Sequence, residues 1–226
     1  MLSSQTILTA AVFVCLTRTC IASEPRADLW QRLEHLSLLP RIDPEFRERV
    51  LVSLPTEGEV RSLAPEDRRK LESVAPVLKL HGRDTDYIFK VVESPQARIA
   101  IHARFVLLIT YTALRVLTPT QLQALVAHEI GHEYVWEEYD DACKTSDWLR
   151  VRELELFCDG VAVQTLLRIG APPSSLIDAL RIVTASNQRN GLVTDRVRDT
   201  HPSLAERARF SKELEKRLGE KMARLR

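Results

Sequence analysis

His128 and His132 stand four residues apart, with Glu129 directly after the first, in the run His128-Glu129-Ile130-Gly131-His132. On a helix, side chains four apart share a face, so both imidazoles can reach one ion while Glu129 touches water beside it without ligating. That chemistry is metal-assisted hydrolysis, with zinc as the expected ion. Such a centre takes a third protein ligand and keeps a fourth position open for water. No histidine follows His132 until His201, so the next candidates are acids on a later helix. Glu155 and Asp159 are again four apart, in a stretch bordered by Phe157, Val161, Ala162 and Val163. An acid pair on such a helix is costly unless paired or metal-bound. Glu155 is therefore the expected third ligand, with Glu153 its competitor. Asp159 is the carboxylate expected to hold a ligand histidine by its other ring N–H. Leu122, Leu125, Val126 and Ile130 make the first helix apolar, which argues against two surface histidines.

The elements that carry these residues are well punctuated. Thr118-Pro119-Thr120-Gln121 combines an N-cap threonine, proline at the first helical position and glutamine three residues after the cap, opening a helix expected from Pro119 to about Tyr139. A second helix is expected from about Asp147 to Ile169, stopped by Gly170 with Pro172 and Pro173 beyond. A third should span about Ser175 to Gln188. A last begins at the capping box Ser203-Leu204-Ala205-Glu206 and carries Leu204, Ala208, Leu214 and Leu218 as a core stripe. Residues 25–80 read as helices broken by prolines at 40, 44, 55, 65 and 76. Strand-like text is confined to Tyr87–Val92, Arg98–His102 and Phe105–Tyr111, most simply an antiparallel meander. The fold class expected is α+β, mainly helical, with a small antiparallel sheet beside the helix of the histidine pair. His35, His81 and His102 have no partners at ligand spacing and read as surface or packing residues. Trp136 and Trp148 read as core or cleft wall.

The chain has 226 residues, 45% hydrophobic and 28% charged, which suits one domain and excludes a disordered chain. A formal charge of +1 with no basic block argues against nucleic acid as a main partner. Residues 1–22 contain no acid and hold an apolar run, Ile7 to Leu16, of signal-peptide length and too short to span a bilayer. The expected division is a signal peptide at 1–22, cleaved after Ala22 or one residue later, and a single domain at 23–226. An uncleaved anchor formed by residues 7–22 is the alternative, and only then is membrane contact expected. Cys143 and Cys158 would remain in the mature chain, either bridged or as two separate thiols.

His128-Glu129-xx-His132, Glu155-xxx-Asp159 on a following helix, and Thr200-His201-Pro202 with Arg207 together resemble the HtpX/CAAX-prenyl-protease family of zinc metallopeptidases, which are gluzincins. The likeness runs from about Val91 to Phe210 and fits a soluble, exported branch. It implies a zincin-like metallopeptidase domain in which a sheet edge lies along the cleft and pairs with an extended protein or peptide substrate. It also implies His201 near the water or the developing oxyanion, and Arg207 bracing Asp159 or a nearby acid. The segment Ser94-Pro95-Gln96-Ala97-Arg98-Ile99 departs from the family's Asn-Ala-Phe-Ala pattern, so the shape of that edge is open. The function expected is a zinc-dependent endopeptidase with one zinc ion, Glu129 as general base and a zinc-activated water as nucleophile, acting on extracytoplasmic proteins. Its rivals are a latent or chaperone-like zinc protein whose fourth position is blocked, for example by His201, and a structural zinc protein. The intact Glu129 argues against the last.

Overall fold

The computed structural model describes residues 25–55, 58–192 and 200–224. The expected leader at 1–22 lies outside them. Among the described residues, no helix is long and apolar enough to cross a membrane.

Prolines punctuate the first quarter as expected. Helices α1 (Pro25–Glu34), α2 (Pro44–Ser53), α3 (Pro65–Glu72) and α4 (Ala75–Leu80) each start at or beside a proline, where its missing N–H costs nothing. Strands β1 (Ile88–Val92), β2 (Ile99–His102) and β3 (Val106–Thr110) follow, then α5 (Tyr111–Val116) and α6 (Pro119–Tyr134). Further helices are α7 (Trp136–Thr145), α8 (Trp148–Arg168), α9 (Ser175–Arg189) and α10 (Leu204–Arg224). Both expected capping boxes form. Thr118 and Gln121 exchange bonds at the start of α6, and Ser203 and Glu206 do so ahead of α10.

The fold is α+β and mainly helical, but the sheet is mixed rather than an antiparallel meander. Its order is β1-β3-β2, with β1 parallel to β3 and β2 antiparallel to it. The centre goes to the most apolar strand: Val106, Leu107 and Ile109 are fully buried, as a strand covered on both faces should be. That leaves β2 as an edge strand packed over α6.

A second departure matters more for the site. The helix expected to run to Tyr139 breaks at Val135 (φ −124°, ψ 21°), whose N–H turns back to the His132 carbonyl. Burial of Val135, 1% exposed, fixes the corner, and α7 leaves in a new direction. In a continuous helix, Tyr139 would lie seven residues, roughly 10 Å, beyond His132. After the break its ring instead meets the His132 imidazole edge-on at 4.6 Å between centroids.

Helices α6 and α8 form the centre of the molecule, and they approach unusually closely. A Cβ on Gly131 would lie 2.7 Å from the Cys158 Cα, so only glycine fits between the two pairs of site residues. Helix α10 covers α8 with Phe210 and Leu214, and Phe210 stacks on Trp30 of α1 at 4.8 Å. Cys143 and Cys158 are separate thiols, one half-buried and one buried. Trp136 lines the cleft as expected, whereas Trp148 is 41% exposed at the first position of α8, after a left-handed turn at Ser146.

Candidate metal centre and cleft

On α6, the capped start fixes the helical phase that aims His128, Glu129 and His132 into a cleft of about 1040 Å³. Donor atoms of these three residues all lie within 4.8 Å of one another, so the group could hold a metal ion. On α8, Glu155 and Asp159 meet the same histidines. Glu155 Oε2 is 3.3 Å from His128 Nε2, and Oε1 is 3.6 Å from His132 Nε2. Glu153, the competing acid, is turned away and pairs with Arg150 at 3.0 Å.

Asp159 accepts from His128 Nδ1 at 3.0 Å. A carboxylate only accepts, so Nδ1 carries the proton, and a neutral His128 presents a lone pair on Nε2. Arg207 of α10 grips the same carboxylate with Nε at 2.7 Å and a second nitrogen on the other oxygen. Burial opposes ionisation of Asp159, but Arg207 outweighs it and holds the acid below its ordinary value. Asp159, expected from helix spacing, and Arg207, expected from the resemblance, thus meet in one buried chain: Arg207, Asp159, His128.

Several observations fit a cation among these groups. Glu155 is 1% exposed, yet its Oε2 has no hydrogen-bond partner and faces the His128 lone pair. Burial disfavours charge on both Glu155 and His128. For His128 the bond to Asp159 and then the Glu155 carboxylate override that, pushing it up to about 9; for Glu155, His128 and then His132 do so, holding it well below the usual carboxylate range. A proton fills the gap when no metal does. Burial lowers His132 to about 4, so its ring is a neutral donor at ordinary pH. Two imidazoles and a carboxylate are a donor set suited to a borderline divalent ion such as zinc.

Glu129 sits where β2 crosses α6. Its Oε2 accepts the Ile101 N–H at 3.1 Å, and burial pushes its carboxyl up to about 7. His201, ahead of α10, has its Nδ1 2.8 Å from Thr200 Oγ1, its carbonyl held by Arg152 and its Nε2 3.5 Å from Glu155 Oε1. It therefore reaches the edge of the centre.

Sequence reasoning missed two residues. Tyr139 donates its hydroxyl to Glu155 Oε1 at 2.9 Å, leaving Oε2 to face His128. Its only sequence signal was an aromatic two turns past His132, in a helical phase that the break at Val135 cancels. Glu133, beside His132, is 2% exposed and locked by Arg83 (2.6 Å) and the Tyr87 hydroxyl (2.5 Å), tying the back of α6 to the entrance of β1. An acid on an otherwise apolar helix was the available signal. His81 is a packing residue as expected, whereas His35 and His102 are exposed. No family model matches this chain, and no curated protein matches it.

Proposed function

We propose that this chain is a zinc-dependent endopeptidase of the gluzincin type, built on a zincin-like domain. The observation that carries the reading is the meeting of His128 Nε2 and His132 Nε2 with the two oxygens of Glu155, the one facing His128 orphaned, and with Glu129 beside them under an edge strand. His128, His132 and Glu155 would hold the ion, one per chain. When bound, zinc supplies Lewis acidity toward a peptide carbonyl and lowers the pKa of water to about 7.

The rest of the work falls to side chains. Glu129, near 7, is matched to taking a proton from water and passing it to the leaving amine. The Ile101 N–H keeps that carboxylate turned to the cleft. Arg207 and Asp159 fix the His128 tautomer, as a ligand histidine requires. His201 donates from the rim to the oxyanion that develops on the substrate. An extended peptide lies along β2, and the expected leader at 1–22 would deliver the protein outside the cytoplasm. The second reading, a latent or chaperone-like zinc protein, draws on the same 3.5 Å approach of His201 to Glu155, which would let the ring block the fourth position.

The test is digestion of an unfolded protein by the purified chain. Cleavage should stop with chelator and return with zinc. Glu129→Gln should keep its zinc and lose about 10²- to 10⁴-fold in turnover. Cutting by that variant at near the parent rate would reject the mechanism.

A further inference from the structure

Strand β2 faces the cleft with one side of its backbone, and the groups on that side can be assigned one by one. Arg98 points inward: its carbonyl accepts from Thr110 N–H at 3.0 Å and its N–H donates to Thr110 Oγ1 at 2.9 Å. Backbone direction alternates along a strand, so Ala97, Ile99 and Ile101 point outward. At one end, the Ile101 N–H is taken by Glu129. At the other end, Asn187 of α9 uses both halves of its amide on one residue. Its Oδ1 accepts from Ala97 N–H at 2.7 Å, and its Nδ2 donates to the Ala97 carbonyl at 3.0 Å. That is the bond pattern of a neighbouring strand, supplied by a side chain. Asn190 adds a bond to the Pro95 carbonyl at 2.8 Å, clasping the end of α9 to the same approach.

We propose that Asn187 is a specificity-determining residue that ends the open edge of β2, so that a peptide pairs only with Ile99 and the carbonyl of Ile101. This rests on the peptidase reading and adds to it the register and reach of the substrate. A strand added antiparallel, the more stable pairing, runs from the His102 end towards Ala97. With Glu129 at Ile101, the bond to be cut lies near that residue, and the part of the peptide along Ile99 is the leaving side. The edge therefore pairs about three residues of backbone before Asn187 stops it. Residues farther on the leaving side gain nothing from β2.

Binding tests this without needing turnover. In the zinc-loaded Glu129→Gln protein, where Gln keeps an acceptor for Ile101 N–H, dissociation constants are measured for fluorescent peptides lengthened stepwise on the leaving side. With Asn187 present, affinity should stop rising once Ile99 is paired. In the Asn187→Ala background it should continue to rise over the next two residues, by on the order of tenfold for the longest peptides. Asn187→Asp, which keeps the acceptor and loses the donor, is the milder variant and should gain about half of that on a logarithmic scale. Identical length profiles with and without Asn187, or no binding by any peptide, overturn the proposal. Digestion of the same peptides by the parent chain judges the peptidase reading separately.

Discussion

His201 is the residue on which an active and a self-blocked centre differ. Thr200 takes its Nδ1 side and Arg152 its carbonyl, so the ring reaches the centre with Nε2. On the proposed peptidase reading it donates to a developing oxyanion and contributes in the transition state more than in the ground state, so His201→Ala should slow turnover by about 10²-fold or more. Kinetics of the variant at matched zinc content check this. A rise in activity would mean that the ring had been occupying the water's position. Tyr139 works at the same scale from the other side: it holds the Glu155 oxygen that lies nearest His132 and leaves the second turned towards His128.

At the scale of elements, the site depends on how closely α6 and α8 cross. The histidines of α6 and the acids of α8 meet because Gly131 lets the helices touch backbone to backbone. Gly131→Ala would drive a methyl group into the Cys158 Cα, which cannot rotate away as a side-chain end would. The expected cost is about 1–3 kcal/mol of stability, as for overpacking elsewhere. Metal affinity should fall as well, because Glu155 and Asp159 retreat together from His128. Denaturant unfolding and zinc competition with a chelator measure the two effects, and loss of affinity without loss of stability would show the helices flexing rather than separating. The centrality of β3 matters in the same way: by taking the middle of the sheet, it leaves β2 as the edge at the cleft.

For the molecule as a whole, the buried polar groups that brace the helices set its response to pH. His81 bridges the Tyr134 hydroxyl and Thr165 Oγ1 at 2.8 Å each. Thr165 donates onward to the Val161 carbonyl, so His81 Nε2 carries the proton and Nδ1 accepts from Tyr134. Burial first, then the charges of Arg168 and Arg83, lower His81 to about 4. The unfolded chain takes this proton near 6.5 and the folded one only near 4. Stability from this residue is therefore complete above about pH 6.5 and is lost as pH falls towards 4, by about 3 kcal/mol in all. His81→Gln can keep both bonds and does not titrate. Urea unfolding of parent and variant with chelator present should give a difference that is flat above about pH 6.5 and shifts in favour of the variant below it. A parallel pair of curves down to about pH 4 would contradict this.

Local chemistry was legible from the residues alone. Caps and prolines set the starts of α2, α3, α6 and α10, because capping is satisfied within one turn of chain. Four-residue spacing put His128 with His132, and Glu155 with Asp159, each on one helix face. Three features needed the tertiary structure, because each depends on neighbours distant in sequence. β3 entered the centre of the sheet because its apolar side chains could be covered on both faces, a competition among strands that no single strand records. The helix ended at Val135 because burying that side chain outweighed continuing the ladder, and this alone brought Tyr139 onto Glu155. Asn187 reached Ala97 across the cleft because α9 docks on α6, and an asparagine near the end of a helix carries no local mark of the strand it will meet.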